Sequence, residues 1–162
     1  MRRALVIAPV VALVMLVAGT AFADKPTREI IPVDVTFEDA SCGFTVLIHY
    51  TGTVVRDTRV KHGETTYHES YPNTQVELTN EDTGTSVTLG IPGPGTWTIH
   101  ADGTTTLKGE GPWLWFENPH TGESGIFRTS GRFTQEFDAN GGTLSISIVG
   151  GSTRDLCAEL AA

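Results

Sequence analysis

The segment Pro112-Trp113-Leu114-Trp115-Phe116 is the strongest candidate for a recognition site in the sequence. As a strand, it would direct Trp113 and Trp115 to one face and Leu114 and Phe116 to the other. Both faces would be apolar, so one must meet the core and the other a ligand, a partner or another segment of the chain. Tryptophan is favoured at recognition surfaces because it joins a large apolar area to a polar tip. We therefore predict Trp113 and Trp115 as ligand-binding residues, with coverage by another segment as the alternative.

A second, weaker aromatic candidate lies earlier in the chain. Tyr67 and Tyr71 would share one face of a strand, with Glu69 between them. This pattern predicts Tyr67 and Tyr71 as further ligand-binding residues.

Three possible metal ligands fall within seven residues, namely His62, Glu64 and His68. A hairpin could bring such side chains to the convergent short distances that a metal requires. On an alternating strand, however, His68 shares its face with Thr66 and Ser70, which is typical of a solvated polar surface. We therefore predict no metal site and no cofactor, and retain His62, Glu64 and His68 as weak candidates.

No motif of a nucleophilic enzyme is complete in this sequence. Gly122-Glu123-Ser124-Gly125 is one residue short of Gly-x-Ser-x-Gly, so Ser124 is interpreted as the start of a strand. Paired carboxylates, which glycoside hydrolysis needs, stay open because acidic residues are plentiful. The catalytic residues are unknown, and a small extracytoplasmic enzyme using His and Glu as acid and base is the alternative to a binding function.

Composition narrows the possible partners. The 162 residues include 19 acidic and 11 basic side chains, a formal charge of −8, which argues against nucleic acid as a partner. Two cysteines are too few for an all-thiolate zinc site or an iron–sulfur cluster. The length suits one domain.

Residues 1–23 have the layout of a secretory signal peptide. Arg2 and Arg3 precede an apolar run, and Ala21-Phe22-Ala23 forms a small-x-small cleavage site. The apolar run is about 15 residues, shorter than the ~20 that a membrane-spanning helix needs. We predict cleavage before Asp24, an extracytoplasmic domain over residues 24–162 with a formal charge of −10, and no stable membrane span afterwards.

The two cysteines stand near the two ends of this predicted domain. Cys42 and Cys157 are separated by 115 residues and do not form a Cys-x-x-Cys motif. In an exported chain such a pair is typical of a structural disulfide. Residues 152–155 could act as a capping box for a short helix that begins at Leu156. We therefore predict a C-terminal helix tied to the start of the domain.

The remaining sequence predicts an all-β fold. Apolar and polar residues alternate in segments such as 132–137 and 143–149, and turn sequences such as Asp102-Gly103 and Asn140-Gly141 separate such segments. The pattern apolar-x-Asn-x-x-Thr-Gly-x-Ser occurs at Leu78 and again at Phe116, which indicates an internal repeat over about 76–111 and 114–151. We predict an antiparallel meander that forms an up-and-down barrel or a strongly curled sheet, with a β-sandwich as the alternative.

The residues around the two cysteines carry a resemblance. Cys42-Gly43-Phe44 near the mature start and Asp155-Leu156-Cys157-Ala158-Glu159-Leu160 at the end resemble segments of uncharacterised small secreted proteins from high-GC Gram-positive bacteria. The resemblance implies export, a disulfide and an all-β domain, and no activity. The most consistent function is binding of a small apolar ligand or a cell-envelope partner. A structural or interaction domain without a ligand is a further alternative.

Overall fold

The computed structural model describes residues 25–162, so the predicted signal peptide, residues 1–23, lies outside the described residues. Antiparallel strands make up most of this part of the chain, which confirms the all-β prediction. The elements are β1 (Thr27–Asp39), β2 (Val46–Lys61), β3 (Glu64–Ser70), β4 (Gln75–Asn80), β5 (Ser86–Gly90), β6 (Gly95–Ile99), β7 (Thr105–Glu110), β8 (Trp113–Glu117), β9 (Ser124–Thr129), β10 (Arg132–Phe137), β11 (Thr143–Val149), β12 (Thr153–Asp155) and α1 (Leu156–Leu160).

The strands form a nine-stranded sheet and a three-stranded sheet. The order in the large sheet is β11-β10-β7-β6-β3-β2-β4-β5, with β1 also paired to β2, and the small sheet has the order β12-β9-β8. Since β11 and β5 end the large sheet without pairing to each other, the described strands do not close. The predicted up-and-down barrel is therefore wrong.

β2 changes partners along its length. Residues 46–51 of β2 pair with β4, whereas residues 55–61 pair with β3. Gly52 lies at the change, with a φ of 139°. A Cβ at this position would come within 2.6 Å of the Thr74 Cα, so only glycine allows the loop before β4 to approach so closely.

Two apolar clusters fill the space between the sheets. In the first cluster, Ile48 and other residues of β2, β4 and β5 pack with Ile126 of β9, Leu114 of β8 and Leu156 of α1. In the second, Leu107 and Phe133 of the large sheet pack with Trp115 and Phe127 of the small sheet. Consecutive residues of β8 and β9 point to opposite faces of the small sheet and pack in different clusters. Each face of the small sheet therefore contacts one of the two clusters.

The C-terminal segment confirms two predictions. Cys42 and Cys157 form a disulfide, and Leu156–Leu160 is a short helix whose Leu156 and Leu160 are fully buried. The helix cap differs from the expected capping box, because residues 153–155 pair with β9 as strand β12. Asp155 caps the helix instead, and its carboxylate accepts a hydrogen bond from the Ala158 N–H. No helix within residues 25–162 is long and apolar enough to cross a membrane.

The two Asn-x-x-Thr-Gly turns have the same hydrogen bonds. The Gly84 N–H donates to the Asn80 carbonyl and the Gly122 N–H to the Asn118 carbonyl, at 2.8 and 2.7 Å. Each asparagine side chain also accepts a backbone hydrogen bond two residues ahead. The strands that flank the first turn lie in the large sheet, and those that flank the second lie in the small sheet. The turn chemistry is therefore shared, while the repeat as a whole stays a prediction.

Candidate functional site

The Trp113/Trp115 face of β8 points toward the second apolar cluster. Trp115 is 7% exposed, and its ring lies edge-on to Phe133 with a centroid distance of 4.9 Å. Trp113 is half-buried and lies 5.1 Å from the same Phe133 ring. On the opposite face, Leu114 packs in the first cluster, and Phe116 lies against Phe37 at 6.0 Å. Other segments of the chain therefore cover much of both faces.

Glycines on the neighbouring strands make room for the aromatic rings. A Cβ at Gly109 would lie 2.2 Å from Phe133 Cε1 and 3.1 Å from Trp113 Cε2. A Cβ at Gly95 would lie 3.0 Å from the Trp113 ring, and one at Gly93 would lie 2.6 Å from Trp113 Nε1. Sequence reasoning missed this packing role, although glycine inside a strand is a known sign of close approach.

Replacing Gly109 with alanine is expected to lower the free energy of unfolding by about 1–3 kcal/mol, because the added methyl group overpacks the Phe133 site. Urea denaturation followed by circular dichroism measures the change. Gly90→Ala is the matched control, since its nearest contact would be Pro92 Cδ at an ordinary 3.9 Å. Equal losses in the two variants would contradict the packing role of Gly109.

Trp113 separates two cavities. The first, which we call the Tyr50 cavity, has a volume of about 270 Å³, and Tyr50, Tyr71, Trp113 and mainly apolar neighbours line it. The second has a volume of about 390 Å³ and lies between the Trp97 and Trp115 rings. Of the four predicted ligand-binding residues, Trp113 and Tyr71 line the Tyr50 cavity and Trp115 lines the second cavity. Tyr67 lies elsewhere, under the Arg56 guanidinium at 5.1 Å from its ring.

The polar side chains that line the Tyr50 cavity are Tyr50, Tyr71, Thr74 and Trp113, all of them uncharged. Burial raises the pKa of Tyr50 to about 12, and burial together with the Glu69 carboxylate raises the pKa of Tyr71 well above its usual value. Both phenols therefore keep their protons at neutral pH. The Trp113 Nε1–H is buried and has no hydrogen-bond partner among the described residues. An indole N–H can only donate, so this buried group lacks an acceptor among the described residues.

Glu69 forms a buried carboxylate centre beside this cavity. It is 7% exposed and accepts hydrogen bonds from Arg56 Nε at 2.6 Å, from Trp97 Nε1 at 3.0 Å and from the Tyr71 hydroxyl. This network fixes Tyr71, which lies edge-on to Trp113 at 5.6 Å. The sequence did indicate a role for Glu69. It stands between two tyrosines on the same strand face, and a carboxylate on a buried face needs hydrogen-bond partners.

None of the five histidines lines the Tyr50 cavity or the second cavity. His100 Nδ1 is 2.9 Å from Glu64 Oε1, and its Nε2 is 2.9 Å from Thr106 Oγ1. The side chains of His100 and Glu64 are 34% and 49% exposed, so water competes for these hydrogen bonds. His68 contacts Thr96 instead of Glu64. Within residues 25–162, no three His, Cys, Asp or Glu side chains are grouped so that they could hold a metal ion.

In comparisons with known proteins, no protein-family model, curated protein or solved structure matches the chain.

Proposed function

We propose that this chain is a secreted, disulfide-stabilised β domain that binds a small apolar molecule in the Tyr50 cavity. The observation that carries the proposal is the buried, unpaired Trp113 N–H beside this largely apolar space. Most buried polar groups in proteins have a partner, and leaving one without a partner costs about 1–3 kcal/mol. A ligand acceptor that reaches Trp113 Nε1 would recover part of that cost.

Gly93 supports the placement of this donor at the cavity. Gly93 lines the Tyr50 cavity, and a Cβ added to it would come within 2.6 Å of Trp113 Nε1. The indole nitrogen therefore lies against the wall that Gly93 forms. Since the nitrogen itself is buried under Gly93, a ligand acceptor reaches it only when Gly93 or Trp113 shifts.

The cavity volume sets the size of the proposed ligand. An apolar cavity of roughly 150 Å³ is enough to hold benzene. A volume of about 270 Å³ therefore suits a one-ring or two-ring molecule with a single acceptor. Val33, Val54 and Ile91 supply apolar walls, which favour such a molecule over a charged one.

Export and curvature of the large sheet belong to the same proposal. The signal-like residues 1–23 and the Cys42–Cys157 disulfide support an extracytoplasmic location.

We infer that the large sheet curls around the small one, since Ile48 and Leu107 share a face of the large sheet but pack on opposite faces of the small sheet. Such curvature would keep the Tyr50 cavity between the two sheets.

Trp113→Phe is expected to weaken binding of 2-acetylnaphthalene about two- to tenfold, because the variant keeps the aromatic wall and loses the N–H donor. Binding of naphthalene, which has no acceptor, should change little. Equilibrium dialysis of the mature protein against each compound measures both affinities.

Trp115→Phe is the matched control, since Trp115 also has a buried, unpaired N–H but lines the other cavity. Its affinity for both compounds should stay close to that of the wild type. If neither compound binds the wild type, or if Trp115→Phe weakens binding as much as Trp113→Phe, the site assignment fails.

A further inference from the structure

The large sheet has unpaired outer edges on β1, β5 and β11 among the described residues. An edge strand presents free N–H and C=O groups that can pair with a strand of another molecule. Natural proteins block such edges with charges, proline or short strands. The three edges of this sheet differ in how well they are blocked.

Two of the edges carry protective features. β1 contains Pro32 at its middle and charged residues on either side of it, including Glu29 and Asp34. β5 has only five residues and ends at Gly90. Proline removes a backbone donor, and a short strand offers few of them, so both edges pair poorly with another strand.

β11 is longer than β5 and is paired regularly with β10 from Ser145 to Val149, with a register shift at Leu144. Its sequence Thr143-Leu144-Ser145-Ile146-Ser147-Ile148-Val149 contains no charge and no proline, in a chain with a formal charge of −8. Leu144 and Val149 are 61% and 64% exposed. Its inner side is occupied, since Ile146 and Ile148 pack in the second apolar cluster and β10 pairs along one edge. The outer edge is unpaired among the described residues.

We propose that the outer edge of β11 pairs antiparallel with β11 of a second copy of this chain. The order of polar and apolar residues in β11 is nearly the same in both directions from Ile146. An antiparallel pairing centred there places Ser145 opposite Ser147, Leu144 opposite Ile148 and Thr143 opposite Val149. The serine pair and the Leu144–Ile148 pair match in polarity, and Thr143 and Val149 are both β-branched. The two-fold operation closes the assembly as a dimer.

Charge favours this edge over the others for self-association. Two copies of an acidic protein repel each other, and like charges placed opposite one another in a sheet destabilise the pairing. β11 brings no charge to the contact, whereas pairing two copies of β1 would bring together a strand that carries Glu29, Asp34 and Glu38. The inference does not depend on the Tyr50 cavity, which lies against other strands.

Sedimentation equilibrium of the mature protein over a concentration series tests the dimer. The double variant Ser145→Lys/Ser147→Lys places lysines opposite each other in the proposed pairing, and lysine is a residue that natural edge strands use against association. We expect the wild type to approach twice the chain mass and this variant to stay monomeric, an about twofold lower mass. Ser86→Lys/Thr88→Lys makes the same charge change on β5 and should leave the dimer intact.

Far-UV circular dichroism and thermal unfolding of each variant provide the control that the variant is still folded when it fails to dimerise. A wild type that stays monomeric throughout the series would overturn the proposal. Equal dissociation by the β11 and β5 variants would also overturn it, because it would trace association to net charge and not to the β11 edge.

Discussion

Replacing Cys42 and Cys157 together with alanine is expected to lower the free energy of unfolding by about 4–5 kcal/mol. The bond closes a loop of 115 residues, so its loss enlarges the unfolded ensemble more than the loss of a short-range disulfide would. Typical domains are stable by only about 5–15 kcal/mol, and this one loses a large share of that margin.

The consequences should be largest near the C-terminus. Cys157 belongs to α1, whose Leu156 and Leu160 are fully buried in the first apolar cluster. A helix of five residues is too short to be stable alone, so its position depends on the disulfide and on this packing. Without the bond, α1 should exchange its amide hydrogens faster than β2 or β4.

Urea denaturation of the double variant and of the wild type, with and without reductant, provides the measurement. The reduced wild type should match the double variant, because both lack the same constraint. A loss below about 1 kcal/mol would show that the disulfide is not a principal source of stability.

Replacing Glu69 with alanine is expected to destabilise the fold by about 2–6 kcal/mol, because two buried donors lose their acceptor at about 1–3 kcal/mol each. The variant leaves the Tyr71 hydroxyl and Trp97 Nε1 without their acceptor. The Arg56 side chain is 35% exposed, so its charge stays partly solvated and its share of the cost is small. The larger part of the loss therefore comes from the tyrosine and tryptophan donors.

Glu64→Ala on the same strand is the matched control for this prediction. Glu64 pairs with His100 at the surface, where both side chains are well exposed, so its loss should cost less than about 1 kcal/mol. Chemical denaturation of the two variants compares a buried carboxylate with an exposed one. Similar losses would contradict the central position of Glu69 in the network.

Local sequence patterns predicted the elements more successfully than their assembly. Alternation around Phe133 and Phe137 correctly indicated β10, and the count of cysteines indicated the Cys42–Cys157 bond. The barrel prediction was wrong because β5 and β11 do not pair, and the sequence also did not indicate that β2 exchanges one partner for another at Gly52. The local sequence of a strand does not indicate how many other strands pair with it, because strand pairing depends on contacts between residues that are distant in sequence.

The positions of Trp113 and Trp115 were also predicted only in part from the local sequence. Alternation placed Trp113 and Trp115 on one face, but it did not show that they lie at different depths, with Trp115 in the core and Trp113 between two cavities. That difference depends on Gly95, Gly109 and Phe133, which come from three other strands, and the sequence pattern of β8 does not show that they pack against it. The hydrogen bonds of Glu69 were missed because its donors come from two other strands and a loop.

The indole N–H signals of the ¹⁵N-labelled mature protein report on the proposed hydrogen bond to a ligand. Trp113 Nε1–H has no partner among the described residues and is proposed to donate to a ligand in the Tyr50 cavity, whereas Trp97 Nε1–H is already bonded to Glu69. Titration with 2-acetylnaphthalene should move the Trp113 proton signal downfield and leave the Trp97 signal nearly unchanged. Naphthalene should give a smaller shift without the hydrogen-bond displacement. A saturating titration in which the Trp113 signal does not move would contradict this proposal.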